Sequence, residues 1–147
     1  MQASVIDFRK VLRDAKILVV EDDLLIAEDV AAVLGDLDAH VLGPVPRAAD
    51  ALKFIERQKP DCVVLNAILQ GAPAIELALR LRELQIPWVV VTAYNFEKLP
   101  PELREAPCVE KPYKRDTLTT AVAMAMLKRK DSAAASTLLP ARRIELD

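Results

Sequence analysis

Hydrophobic and polar positions along this chain fall into two patterns, short unbroken apolar runs and longer stripes at helical spacing. The runs are Ile17-Leu18-Val19-Val20, His40-Val41-Leu42-Gly43, Cys62-Val63-Val64-Leu65, Trp88-Val89-Val90-Val91 and Cys108-Val109-Glu110. Short, rich in β-branched residues and not alternating with polar ones, they predict strands buried on both faces, as in parallel sheets. The stripes lie between them: Ile26, Val30, Val33 and Leu37 within 24–37, then Ala48, Ala51, Leu52 and Ile55, then Ile75, Ala78 and Leu79 within 74–84, and Leu118, Ala121, Val122 and Ala125 within 117–128. Each stripe predicts a helix with one face inward. Gly35 stands near the stop of the first helix, Pro44 and Pro46 mark the exit of the second strand, and the next helix must end before Pro60. Residues 93–107 hold Pro100, Pro101 and Pro107 and predict at most a short, irregular helix. Ahead of the repeat, Val5, Ile6, Phe8, Val11 and Leu12 predict a short amphipathic helix.

Five strands alternating with helices predict an α/β fold: a five-stranded parallel sheet with helices on both faces and right-handed crossovers. Strand order 2-1-3-4-5 is the default for such a chain. The expected division is a helical extension at 1–14, the α/β domain at 15–129 and a tail at 130–147. The tail starts polar and small and regains apolar character at Leu138, Leu139, Ile144 and Leu146.

In that strand order the carboxyl ends of four strands converge, and open α/β sheets bind ligands there. The residues delivered are Glu21 and Asp22, Asn66, Thr92 and Lys111. Two carboxylates with a nearby amide or carbonyl oxygen suit a hard divalent cation such as Mg²⁺. A lysine and a hydroxyl around the same point suit phosphoryl oxygens. A nucleophile is missing: an aspartate at position 66 could attack phosphorus, whereas the asparagine amide has its nitrogen lone pair delocalised.

Composition narrows the classes. The 147 residues make one domain, which at this size buries roughly 68–70% of the surface exposed by the unfolded chain. A net charge of −2 with mixed signs gives no reason to expect nucleic acid or an anionic membrane. No segment has the apolar length of a signal peptide or membrane span, so a cytoplasmic location is expected. Cys62 and Cys108 read as small buried hydrophobes, and His40, the only histidine, lies away from the polar edge. Asp23 reads as a helix N-cap. Lys128-Arg129-Lys130 and Arg142-Arg143 belong to a helix end and a tail. Of the three glycines, Gly35, Gly43 and Gly71, none forms a phosphate-binding loop.

Val19-Val20-Glu21-Asp22-Asp23, Leu65-Asn66, Thr92-Ala93 and Lys111-Pro112-Tyr113 together resemble the receiver domain of bacterial two-component response regulators, over about 15–128. The resemblance implies the flavodoxin-like receiver fold. It also implies that Glu21, Asp22, Asn66 and the backbone carbonyl of Ile68 form the Mg²⁺ site, and that Thr92 and Lys111 bind the phosphoryl group. Asn66 stands where the family has its phospho-accepting aspartate. Its amide removes one negative charge, so Mg²⁺ binding is expected to be weak. Cys108 stands where many receivers carry a switching aromatic, and Tyr94 is the nearest aromatic that could substitute. The run Trp88-Val89-Val90-Val91-Thr92-Ala93-Tyr94 and its proline-rich sequel are similar to stand-alone receivers, known mainly in alphaproteobacteria, that work with histidine kinases of the HWE type.

Three functions compete. The first is a single-domain response regulator acting by protein contact, unphosphorylatable because Asn66 replaces the aspartate, a change that could be engineered. The second is a natural pseudo-receiver, a binding module independent of phosphorylation. The third is a small α/β phosphatase or phosphotransferase with Asp22 as nucleophile, for which further catalytic groups are missing. The first two make the chain a signalling module and not an enzyme. The expected partners are a sensor histidine kinase or phosphotransfer protein, a downstream protein target, and a second copy meeting it through the face formed by 93–128 or the tail.

Overall fold

The computed structural model describes the backbone of residues 7–138 and the side chains of residues 7–129. Five parallel strands form the central sheet: β1 (Lys16–Val20), β2 (His40–Val45), β3 (Cys62–Asn66), β6 (Trp88–Thr92) and β7 (Cys108–Glu110). A two-residue hairpin, β4 (Ile68–Leu69) and β5 (Ala72–Pro73), follows β3 outside the sheet. The helices are α1 (Phe8–Leu12), α2 (Leu24–Gly35), α3 (Ala48–Gln58), α4 (Ile75–Glu83) and α5 (Arg115–Leu138). The sheet order is β2-β1-β3-β6-β7, the expected 2-1-3-4-5 once the hairpin is set aside.

Successive strand residues face opposite sides of a sheet, and here both sides are apolar. Leu18, Val20, Val63, Leu65, Trp88 and Val90 pack with α3, α4 and the segment after β6. Ile17, Val19, Cys62, Val64, Val89 and Val91 pack with α1, α2 and α5. A run buried on both faces has no polar position to alternate with, which is why these strands read as continuous hydrophobic stretches.

Several helix faces differ from the stripes. In α4 the buried residues are Leu77, Ala78 and Leu81, while Ile75 and Leu79 are half-buried. In α2 Ala27 and Leu34 are buried alongside Val30 and Val33, and Ile26 and Leu37 lie at the margin. The last helix begins at Arg115 and continues past Lys128 to Leu138, so 130–138 extend the helix instead of starting a tail. Alanine is the best helix former, and Ala133-Ala134-Ala135 is therefore a continuation signal, not a loop. The predicted N-terminal helix is Phe8–Leu12; Val5 and Ile6 lie outside the described residues, as do Leu139, Ile144 and Leu146. Leu12 is fully buried and α1 packs on α5, so this segment is part of the folded body.

The second strand does not stop at Gly43. It runs through Pro44 to Val45, which an edge strand tolerates because one side of it needs no hydrogen bonds. Gly43 sits at φ +86°, and a Cβ there would lie 2.9 Å from the Val19 carbonyl oxygen and the Val45 nitrogen. Only glycine fits. The segment from 93 to 107 holds two short 3₁₀ turns, Phe96–Lys98 and Pro101–Glu105, in keeping with its prolines. Among the described residues no helix is long and apolar enough to cross a membrane.

Candidate functional site

β1, β3, β6 and β7 end at the same edge, and each delivers its polar residue there. Parallel pairing sets this register: Val20 lies beside Leu65, Asn66 beside Val91, and Thr92 beside Glu110. Glu21 follows the last residue of β1 and is fixed at its backbone, where its N–H donates to the Val45 carbonyl at 3.1 Å. The extension of β2 through Pro44 makes that bond available. The chain then turns into α2, with Asp23 as N-cap: its carboxylate accepts from Leu25 N–H at 3.0 Å and Ile26 N–H at 3.3 Å.

Four side chains form one hydrogen-bonded group. The Asn66 Nδ2 donates to Glu21 Oε2 at 2.7 Å and more weakly to Asp22 Oδ1 at 3.4 Å. Lys111 Nζ meets Glu21 Oε1 at 3.1 Å. Glu21 is only 5% exposed and spends both oxygens on partners, Oε2 also accepting the Asp23 N–H. A buried carboxylate needs such pairing, since an isolated buried charge is costly. The Asn66 Oδ1 is turned the other way, toward the Ile68 N–H at 3.4 Å.

Asp22 is exposed, and its Oδ2 accepts the Gln70 N–H at 2.9 Å. That backbone donor holds its carboxyl below the ordinary carboxylate range. Gln70 and Gly71, at φ +51° and +80°, are the central residues of the β4–β5 hairpin. Two left-handed residues in succession make the tight turn that matches strand twist. The sequence reading missed this hairpin, for which Gly71 was the signal of the turn.

Thr92 is fully buried at the end of β6. Its Oγ1 accepts the Tyr94 N–H at 2.9 Å, and its carbonyl accepts the Lys111 N–H at 2.7 Å, so the hydroxyl is tied to its own loop. Tyr94 is exposed and stands outside the hydrogen-bonded group. Cys108 is half-buried against the α3/α4 side of the core, with its thiol pushed up by burial. Thus hydrogen bonds join Glu21, Asp22, Asn66 and Lys111, and attach Thr92 only through backbone. Sequence reasoning also passed over two ties between α2 and the region after β7: Tyr113 OH donates to Asp29 at 2.8 Å, and Arg115 pairs with Asp36.

Chemically, the edge offers two carboxylates, one cation and an amide in place of a nucleophile. Among the described residues no three of the His, Cys, Asp and Glu side chains cluster as metal ligands.

Comparison with known proteins matches this chain to a family. The sequence profile of the response regulator receiver domain covers residues 17–123. The positive alginate biosynthesis regulatory protein of Pseudomonas aeruginosa is 30% identical over 130 residues, 85% of this chain and 52% of that protein. The transcriptional regulatory protein PdtaR of Mycobacterium tuberculosis is 27% identical over 115 residues, 76% of this chain and 56% of that protein. The chain thus spans about half the length of these curated relatives. Among solved structures, SdrG from Sphingomonas melonis Fr1 superposes with a TM-score of 0.69 at 30% identity, covering 80% of this chain and 98% of that one.

Proposed function

This chain belongs to the response regulator receiver-domain family of two-component signalling, and from that premise we propose that it works as a single-domain response regulator by protein contact, without phosphorylation at position 66. One observation carries the proposal. Asn66 stands at the carboxyl end of the central strand, and its amide nitrogen is committed to the Glu21 and Asp22 carboxylates. An amide so placed cannot attack phosphorus, and the four-membered group is complete without a phosphoryl ligand.

The family implies a divalent cation at the acidic edge, and the donor set fits one. Glu21, Asp22, the Asn66 side chain and the Ile68 carbonyl would hold it, one or two carboxylates being the usual protein share for Mg²⁺. When bound, the ion would supply positive charge toward phosphoryl oxygens. Its affinity is expected to be low: Asn66 now turns N–H groups, not oxygen, toward both carboxylates, and Glu21 is already paired with Lys111. Lys111 would hold an anionic ligand at the edge, and Thr92 would donate its O–H once released from its loop. Tyr94 would follow that movement in the role that Cys108 cannot take.

Partners would be recognised through the face built from residues 93–107, β7 and α5, by a histidine kinase or phosphotransfer protein and by a downstream target. Lys114 lies beside that face and is exposed.

The test is intact mass after incubation with Mg²⁺ and acetyl phosphate, on this chain and on Asn66→Asp in parallel. Only the Asp variant should gain a phosphoryl group. If the unaltered chain gains one, the acceptor lies elsewhere and the proposal fails. If neither does, the edge has lost its chemistry, and the phosphorylation-independent pseudo-receiver replaces the regulator with one substituted residue.

A further inference from the structure

A cavity lies at the opposite edge of the sheet from Asn66, where β6 and β7 begin. It measures about 500 Å³ and is walled by Leu81, Ile86, Trp88, Ala106 and Ala125. Ligand sites for small molecules are mostly apolar concavities in the range of about 300–1,000 Å³, with a few convergent polar groups. The polar groups here are of one dominant sign. Arg82, Lys128 and Arg129 stand on the rim against a single carboxylate, Glu105, which Arg82 engages at 2.7 Å. Lys128 and Arg129 make no ion pair among the described residues.

The wall also contains the aromatic ring of Trp88. Trp88 is 92% buried, and its Nε1–H has no acceptor among the described residues. A buried donor without a partner costs about 1–3 kcal/mol, which is why such groups are rare in folded proteins.

We propose that this cavity binds a small apolar monocarboxylate, its hydrocarbon body against Leu81, Ile86, Trp88 and Ala125 and its carboxylate between Lys128 and Arg129. The body replaces water over the apolar floor, and the anion answers the rim cations Lys128 and Arg129, which have no ion-pair partner among the described residues. Occupancy is independent of the Asn66 edge, because the two sites lie at opposite ends of the strands. The site stands or falls separately from phosphorylation.

The reporter is built in, since Trp88 is the only tryptophan of the chain. Its fluorescence is titrated with sodium octanoate and, in parallel, with n-octanol, which matches the apolar body and lacks the charge. Octanoate should give a saturable change, with octanol weaker by about tenfold or more. The exposed double substitution Lys128→Gln/Arg129→Gln should weaken octanoate by a similar factor and leave the unfolding temperature in place. No saturable change, equal binding of octanol, or unaltered binding by the double variant would overturn the proposal. So would saturation by an acidic peptide with no response to octanoate, because the cavity would then be a protein-docking groove.

Discussion

Asn66 and Glu21, forty-five residues apart, are joined by a 2.7 Å hydrogen bond from the Asn66 amide to the Glu21 carboxylate. Through it the central strand β3 and its neighbour β1 are tied at the edge where the acids converge. The amide does for the two carboxylates part of what a cation would do, offering them positive dipole ends in place of a third negative charge.

Replacing Asn66 by Asp should therefore expose the chain to repulsion among three carboxylates. In the presence of a chelator the variant is expected to be less stable by about 2 kcal/mol, the scale of a hydrogen bond to a charged group. Added Mg²⁺ should restore it, as a ligand at a hundred times its Kd stabilises by about 2.7 kcal/mol. The unaltered chain should respond far less. Urea unfolding of both proteins with and without Mg²⁺ makes the comparison, and equal Mg²⁺ responses would contradict it.

Lys111 is the only cation that the structure pairs with Glu21 among the described residues. Lys111→Met removes it and leaves a nearly buried carboxylate held by the Asn66 and Asp23 donors alone. The expected loss is about 2–3 kcal/mol, less than for a fully buried pair because Lys111 keeps some solvent contact. Glu21→Gln in the Lys111→Met background should recover part of it. A double-mutant cycle in denaturant that returns no coupling would show that the pair does not matter to stability.

Cys62 is completely buried beneath α2 and α5, and burial pushes its thiol up to about 12 from an ordinary 9.0. The folded state thus prefers the neutral thiol. The unfolded chain ionises first as pH rises, so stability owed to this group is whole below pH 9.0 and is lost progressively toward about 12. Cys62→Ala should flatten that alkaline decline. At pH 8 a maleimide reagent should label the half-buried Cys108 before Cys62, and preferential labelling of Cys62 in the folded protein would refute the placement.

Two glycines should answer substitution with opposite signs. Gly43→Ala forces a Cβ within 2.9 Å of backbone atoms at φ +86°, and should cost about 2 kcal/mol or more. Gly35→Ala meets nothing within 4 Å at the end of α2, and should gain up to about 1 kcal/mol. Thermal melts of the two variants decide this directly.

For the proposed partner face the informative substitution is Lys114→Glu. Arg115 is a poorer probe, because it pairs with Asp36 and its reversal would set two carboxylates together. Lys114→Glu should weaken binding of a cognate kinase while leaving the unfolding temperature unchanged. Parallel loss of both would assign Lys114 a structural part.

Much of the fold followed from the sequence by itself because its strands are buried on both faces. Ile17-Leu18-Val19-Val20 and Cys62-Val63-Val64-Leu65 are too short for helices and rich in β-branched residues, so a covered parallel sheet is the natural way to hide their eight apolar side chains, and strict alternation with helices then limits the strand order. That order alone puts Glu21, Asp22, Asn66, Thr92 and Lys111 at one edge, since every parallel strand ends on the same side. The sequence equally determined that position 66 carries an amide, and hence no nucleophile. What it could not decide depends on contacts between distant segments. The Asn66 amide faces both carboxylates, the Thr92 hydroxyl is bound to Tyr94, and a Gln70 N–H reaches back to Asp22 from a hairpin only a few residues long. The length of β2 and the inward face of α4 were set in the same way, by which neighbours covered them. Periodicity records which residues are apolar; only the packed structure settles which of their faces is left for water, and which polar atoms must find one another there.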